Sequence, residues 1–384
     1  MSTASLDLLR KLIAFDTTSV LSNLSLIDYV RQLLASKGIV SEVVFSEDRR
    51  KANLFASVGP RAQSGILLSG HTDVVPVAGQ QWSVPAFEAT VRDGRVYGRG
   101  ACDMKGFVAC ALAAMLRAAD KPLRRPLQLA LSYDEETGCV GVRRLLDLLQ
   151  ATPLRPMLCV VGEPTQMRLA VGHKGKTSLK ACCHGHEGHS SLAPNFPNAI
   201  HLAATLVDQL RREQQRLAQH GAHDPDYDVP YSTVHVGRID GGTALNIVPN
   251  LCQLEFEIRS LPGDNTGKLV DQLREQAERI AQSFSLPSKQ ARIEIDEINS
   301  YPGLNTSPTV DAVHFLSSLL PAEQGPMKVA FGTEGGLFAQ RLDVPVVVCG
   351  PGSIEQAHQP DEYVALEQLA ACDVLLDSLL ASLC

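Results

Sequence analysis

The sequence predicts an α/β fold in which a compact ferredoxin-like α+β domain is inserted into a larger, layered α/β domain. Three observations lead there. At 384 residues the chain exceeds what one hydrophobic core usually organises, and its 45% apolar content is ample for two. Helical periodicity alternates with short apolar runs in the first half and again near the end. Between these regions lies a stretch that reads β-α-β-β-α-β.

The elements follow in order. Amphipathic periodicity predicts helices near 5–14 and 22–37, the second with Ser22 and Asn23 as candidate caps and Gly38 as its stop. Apolar runs at 64–69, 127–132 and 157–161 predict strands, and a strong helix follows Asp103. The inserted pattern comprises strand 177–184, helix 197–218, strands 232–239 and 245–259, helix 266–284 and strand 291–298. Its central pair is expected to turn at Gly241-Gly242. After YPGLNTSP come a helix near 309–319, the buried-type run VPVVVCG and a final helix near 366–382. The expected domains are therefore 177–298 for the insert, and 1–176 with 299–384 for the discontinuous α/β domain.

A net charge of −7 leaves no basic footprint for nucleic acid or anionic lipid, and points to a small-molecule partner. The ten cysteines form no C-x-x-C pair, which suits free thiols in a reducing cytosol. The opening MSTASLDLLRKLIAF lacks the features of a signal peptide, and no run reaches membrane-spanning length. A cytoplasmic location is expected.

Chemistry-bearing residues cluster at the ends of the predicted strands. GILLSGHTDVVP runs into His71 and Asp73, which project to the same side of an extended chain; for one such pair in isolation a polar loop is the better account. Asp103 precedes a helix, where it can be a site residue or an N-cap. LQLALSYDEETG ends in Asp134, Glu135 and Glu136, adjacent acids that repel one another unless a cation or proton relieves them. Glu163 ends a third strand and His358 lies in the loop after a fourth. Ligands in open α/β sheets gather beyond the carboxyl ends of strands, so His71, Asp103, Glu136, Glu163 and His358 can converge there. Two histidines and three carboxylates suit a pair of zinc ions better than calcium or magnesium; cobalt or manganese could take the same ligands.

SGHTDVVP, GRGACDMKG, DEETG, VGEPT, HEGHSS, NAI, LNIVPN, EFEIRS, FGTEGG and AHQPDEY stand in the order found in a known family. Over essentially its whole length the chain resembles the two-zinc aminoacylase and carboxypeptidase metallopeptidases. The resemblance implies a zinc-peptidase-like catalytic domain, with the insert as lid and dimerisation domain of a homodimer. It implies that His71 and Glu163 hold one zinc, that Glu136 and His358 hold the other, and that Asp103 bridges them. It makes Asp73 the residue orienting His71 and Glu135 the general base. It selects His189, rather than the nearby His184 or His186, as an oxyanion donor reaching the neighbouring subunit's site. Arg259 and Asn246 match positions that bind substrate carboxylate or acyl oxygens, although Arg259 could equally form a surface salt bridge.

FGTEGGLFAQ, DEETGCVG and the segment through AHQPDEY resemble the acetylornithine deacetylase branch, which implies removal of acetate from N2-acetyl-L-ornithine in arginine biosynthesis. Glu334 could attract the ornithine ammonium or cap a helix. Succinyl-diaminopimelate desuccinylase, acetylcitrulline deacetylase and dipeptidase activities would use the same metal residues. Cys102, beside Asp103, receives no role. AVGHKGKT fits a relaxed phosphate-loop pattern, but the following TSLKACCHG reads as a strand where a nucleotide hydrolase needs a helix. Glu135 argues against a scaffold that binds metal without catalysis.

Overall fold

The structure is a computed structural model that describes residues 3–152, 154–321 and 325–384. The chain divides into two compact units: residues 1–172, 304–329 and 333–384 form one, and residues 173–303 with 330–332 form the other. The junctions fall at 172/173 and 303/304, against 176/177 and 298/299 expected from the sequence, because the first and last strands of the insert are longer than their apolar cores.

The first unit is built on a sheet of nine strands among the described residues. In spatial order its main path is Ser41–Phe45, Ala52–Val58, Leu127–Ser132, Ile66–His71, Leu158–Val161, Val346–Val348, Ala170–His173 and Leu304–Asn305, with Met327–Val329 paired to Ala170–His173. Four of these, from Leu127–Ser132 to Val346–Val348, run parallel, so their carboxyl ends share one edge. Ile66–His71 and Leu158–Val161 are buried at every position, as expected for parallel strands covered on both faces. The helix Lys105–Ala118 packs on Ile66–His71 and against helices Thr3–Ile13 and Leu366–Ser382, and buries twelve of its fourteen residues.

That packing leaves no room beside the sheet at Gly162, where an added Cβ would lie 1.9 Å from the Phe107 ring. Gly162→Ala is expected to destabilise the protein by about 1–3 kcal/mol through overpacking and to displace the adjacent Glu163. Thermal unfolding of the metal-free protein checks this, and an unchanged melting temperature would refute it.

The second helix runs Leu24–Ala35, and Gly38 ends it in the left-handed region (φ +68°). Asn23 does not cap it. Its side chain instead donates to the Ala52 carbonyl and Thr72 hydroxyl, while Ser22 Oγ accepts from Leu24 N at 3.2 Å.

The second unit has strand Gly175–His184, helix Ala199–His220, strands Thr233–Gly241 and Leu251–Ser260, helix Thr266–Phe284 and strand Arg292–Tyr301. The antiparallel sheet runs Thr233–Gly241, Leu251–Ser260, Gly175–His184, Arg292–Tyr301, which is the ferredoxin-like order. Alternate residues of Gly175–His184 are buried, so one face of the sheet meets the helices. Asn198 and Asn265 cap those helices, their side chains accepting from Ile200 N and Lys268 N at 2.9 Å. Lys176 lies within a strand, so AVGHKGKT lacks the helix that a phosphate loop requires.

The expected turn at Gly241-Gly242 is corrected. Gly241 still pairs with Cys252, and residues 242–250 form a longer connection that interrupts the expected strand 245–259. Pro249, lacking an N–H, cannot take a place in the ladder, and Leu245 is fully exposed. Within this connection Ile247–Val248 pairs with Gly188–His189.

Candidate metal centre

Four parallel strands deliver acids and histidines to one edge. His71 is the last residue of Ile66–His71; Glu135 and Glu136 follow Leu127–Ser132; Glu163 follows Leu158–Val161; and His358 lies ten residues beyond Val348, in the left-handed region (φ +62°). Asp103 comes from the turn before helix Lys105–Ala118. Its expected capping role is not taken up: Met104 is the cap position, without a side-chain bond, and the Asp103 carboxylate turns toward the histidines.

Asp103 faces both imidazoles, one oxygen to each. His71 Nε2 lies 2.9 Å from Oδ1, and His358 Nε2 lies 3.3 Å from Oδ2. Glu163 approaches His71 Nε2 at 3.8 Å, and Glu136 approaches His358 Nε2 at 3.0 Å. Donor atoms of His71, Asp103 and Glu136 fall within 4.8 Å of one another, as do those of His71, Glu135 and Glu163.

The ring of His71 is fixed from behind. Its Nδ1 donates to the Asp73 carbonyl at 2.9 Å, which leaves Nε2 directed at the acids. The Asp73 carboxylate sits at 3.5 Å from that Nδ1 and takes Ser19 Oγ at 2.7 Å. It also accepts the backbone N–H groups of Glu135 and Glu136, at 3.1 and 3.3 Å. Asp73 therefore positions the acid pair as well as the histidine, a role the sequence reading did not assign.

The acid trio separates by partner. Asp134 is bound by Lys51, whose Nζ lies 2.5 and 2.7 Å from its oxygens. Glu136 turns to His358. Glu135 accepts from the buried Cys139 thiol at 3.3 Å, another contact the sequence reading missed, although an acid and a thiol four residues apart in DEETGC are a readable signal.

Burial and mutual repulsion set the electrostatics. Desolvation, with neighbouring acids, pushes Glu163 and Glu135 well above the usual carboxylate range and Glu136 to about 7. Asp103 is held low despite burial, because both histidines donate to it. Its hydrogen bond, with that of Glu136, raises His358 to about 10. Protons thus mediate the acid–imidazole contacts of the metal-free protein. A divalent cation would replace those protons and neutralise the packed carboxylates, so the donor set fits a metal pair.

Glu334 belongs to this unit too. It stands at the cap position of helix Gly335–Leu342 without a side-chain capping bond; Thr333 Oγ1 instead accepts from Gly335 N at 2.9 Å. It is 1% exposed, and its Oε1 has no hydrogen-bond partner among the described residues. Burial raises its carboxyl from 4.5 to about 7, against the pull of Ser132 and His71. A carboxyl raised by folding costs stability as pH climbs from its unfolded value through its folded one, here between 4.5 and about 7. Metal-free Glu334→Gln is accordingly expected to melt with the parent near pH 4 and above it at pH 8, by up to about 3 kcal/mol. A difference independent of pH would refute this.

His189, Asn246 and Arg259 lie in the second unit. Pairing of His189 with Ile247 sets His189 beside Asn246, whose carbonyl accepts from Ser190 N at 3.0 Å. His189 is exposed and its Nδ1 contacts Ser191 Oγ at 2.8 Å. Arg259 is half-buried and paired with Glu257 at 2.9 Å. All ten cysteines are free; Cys102 is buried and donates to the Ser353 carbonyl at 3.2 Å.

The profile of peptidase family M20/M25/M40 matches residues 67–382. The acetylornithine deacetylase of Myxococcus xanthus is 34% identical over 384 residues, 98% of this chain and 96% of that protein. That of Pasteurella multocida (strain Pm70) is 34% identical over 368 residues, covering 94% and 92%. Among solved structures, a metallo-carboxypeptidase of Sulfolobus solfataricus superposes with a TM-score of 0.77 at 18% identity, over 98% of both chains. A dinuclear metal binding peptidase of Bacillus subtilis gives 0.70 at 16% identity, over 99% of this chain and 98% of that one. The fold and these relatives define a metal-dependent hydrolase. The chain belongs to peptidase family M20/M25/M40. Among the described residues no helix is long and apolar enough to cross a membrane.

Proposed function

We propose that the chain is a two-zinc amidohydrolase that converts N2-acetyl-L-ornithine to L-ornithine and acetate, in arginine biosynthesis in the cytoplasm. The observation that carries the substrate is the 34% identity to acetylornithine deacetylases along nearly the whole of each chain. Glu334 supports it: a buried carboxylate beside Glu135, with one oxygen unpartnered among the described residues, offers negative charge to the ornithine ammonium.

His71 and Glu163 are the proposed ligands of one zinc and Glu136 and His358 of the other, with Asp103 between them. Zinc held there would supply the acidity the attacking water needs, lowering its pKa toward about 7. Glu135 takes the proton as the water attacks the acetyl carbonyl, and returns it to the amine nitrogen as the C–N bond breaks. Asp73 keeps Glu135 in place through its backbone N–H. His189 is the proposed donor to the oxygen that gains charge, acting in the site of a second subunit, with the insert as lid and dimerisation domain. Arg259 and Asn246 are the proposed contacts for the substrate carboxylate and acyl oxygens, Arg259 exchanging Glu257 for substrate.

The test is to strip the purified protein with chelator and restore zinc in steps. Amine release is followed from acetylornithine, succinyl-diaminopimelate, acetylcitrulline and a dipeptide. Activity that returns with up to two zinc per chain and favours acetylornithine is expected. Preference for another substrate would move the substrate and keep the mechanism; no metal uptake and no turnover would overturn both.

A further inference from the structure

Glu362 is 1% exposed and stands behind the metal centre, meeting it through the backbone N–H of Asp103 rather than through any acid or imidazole side chain of the site. Each of its oxygens is fully used. Oε2 accepts from Arg99 at 2.7 Å and from Gly100 N at 2.9 Å, while Oε1 accepts from Cys102 N at 2.9 Å and Asp103 N at 3.0 Å. Three backbone N–H groups of the turn that ends in Asp103 therefore converge on one carboxylate, in the manner of an anion nest.

The network continues to the loop that carries His358. Arg99, also 1% exposed, donates to Gln80 Oε1 at 2.5 Å and to the Gln359 carbonyl at 3.4 Å, and lies over the Trp82 ring at 5.0 Å. Gln80 Nε2 in turn donates to the carbonyl of His358 at 2.8 Å. One chain of hydrogen bonds thus ties the Asp103 turn to the His358 loop, the two segments whose side chains meet at 3.3 Å. Stability alone gives little reason for this arrangement, because a buried ion pair is commonly no better than well-packed apolar residues. Fixing backbone N–H groups that carry a ligand is something apolar residues cannot do.

We propose that Glu362, acting through Arg99 and Gln80, is a positioning residue that holds Asp103 and His358 at the spacing needed for the metal between Asp103, Glu136 and His358. This rests on the metal-centre reading above. In Glu362→Gln an amide NH2 must face backbone N–H groups, so the Asp103 turn loses two of its anchors while side-chain volume is kept. Loss of such an outer contact typically costs 10–100-fold in metal affinity. Asp103 serves both proposed ions, but the larger cost is expected at the one beside Glu136 and His358, which depends on both tied segments, whereas His71 is fixed separately by the Asp73 carbonyl.

The experiment is a zinc titration of the chelator-stripped full chain against a chromophoric competitor, with melting of each metal-free protein. The parent is expected to bind two ions, and Glu362→Gln to bind one 10–100-fold more weakly and the other with a distinctly smaller loss. Gln80→Ala, outside the core, is expected to weaken the same ion several-fold with an unchanged metal-free melting temperature. A folded Glu362→Gln that binds both ions with parental affinity, or loses both equally, overturns the proposal. If Glu362→Gln does not fold, parental affinity for both ions in Gln80→Ala overturns it instead. A parent that takes up no second ion overturns this proposal together with the metal-centre reading, which separates the two failures.

Discussion

Glu135→Ala is expected to lose turnover by about 10²–10⁴-fold while still binding two metal ions, the loss falling on kcat rather than KM. The reason is a division of labour between adjacent residues. Glu135 makes no hydrogen bond to either imidazole of the centre; its side-chain contact is the Cys139 thiol and its backbone N–H is held by Asp73. Removing its carboxylate takes away a proton acceptor and leaves the contacts between Asp103 and both histidines intact. Steady-state kinetics with metal analysis on the same preparation decide the matter. Near-parental activity would sink the general-base assignment. Loss of one ion would make Glu135 a ligand, a role its grouping with His71 and Glu163 also permits.

Glu136→Ala is expected to retain one ion per chain and to lose activity with the other. Glu136 is the nearest acid to His358, at 3.0 Å, and without it that imidazole keeps only Asp103 at 3.3 Å. A histidine and a shared carboxylate are too few protein ligands to hold zinc, which takes at least three in catalytic sites. His358 also loses one of the two acids that raise it to about 10, so it should titrate at lower pH in the metal-free variant. Metal counting and an NMR titration of the imidazole check both statements; two tightly bound ions in Glu136→Ala would refute the ligand assignment.

The sequence carried those elements whose signal is local. Strand Leu127–Ser132 and helices Thr266–Phe284 and Leu366–Ser382 lie where the sequence reading set them, because burial and periodicity agree there. Strands Ser41–Phe45 and Ala52–Val58 and helices Val142–Ala151 and Gly335–Leu342 went unread. The two strands mix polar and apolar residues, with Asn53 buried for a tertiary reason: its side chain donates to the Gly141 carbonyl. Candidate ligands were legible because His71, Glu136, Glu163 and His358 each end or follow an apolar strand and Asp103 precedes a strongly apolar helix. Their supports were not. Lys51 and Asp134 are 83 residues apart, and Arg99 and Glu362 are 263 apart, and no composition or spacing rule connects them. Residues 242–250 differ for another reason: apolar Ile247 and Val248 do form a strand, but one paired with Gly188–His189, and Pro249 separates it from the ladder of Leu251–Ser260.

Strand Val346–Val348 sits in the interior of the sheet, parallel to Leu158–Val161, yet some 185 residues separate the two in the chain. During synthesis, the ribosome completes the whole ferredoxin-like unit before that strand emerges. Until then Leu158–Val161 presents an unpaired apolar edge, and His358, which follows, has not been made. The nascent chain can therefore hold at most the His71 side of the metal centre. On the proposed ligand assignment, metal uptake at the other side waits for the C-terminal segment, and the exposed strand edge is open to non-native pairing in the interval.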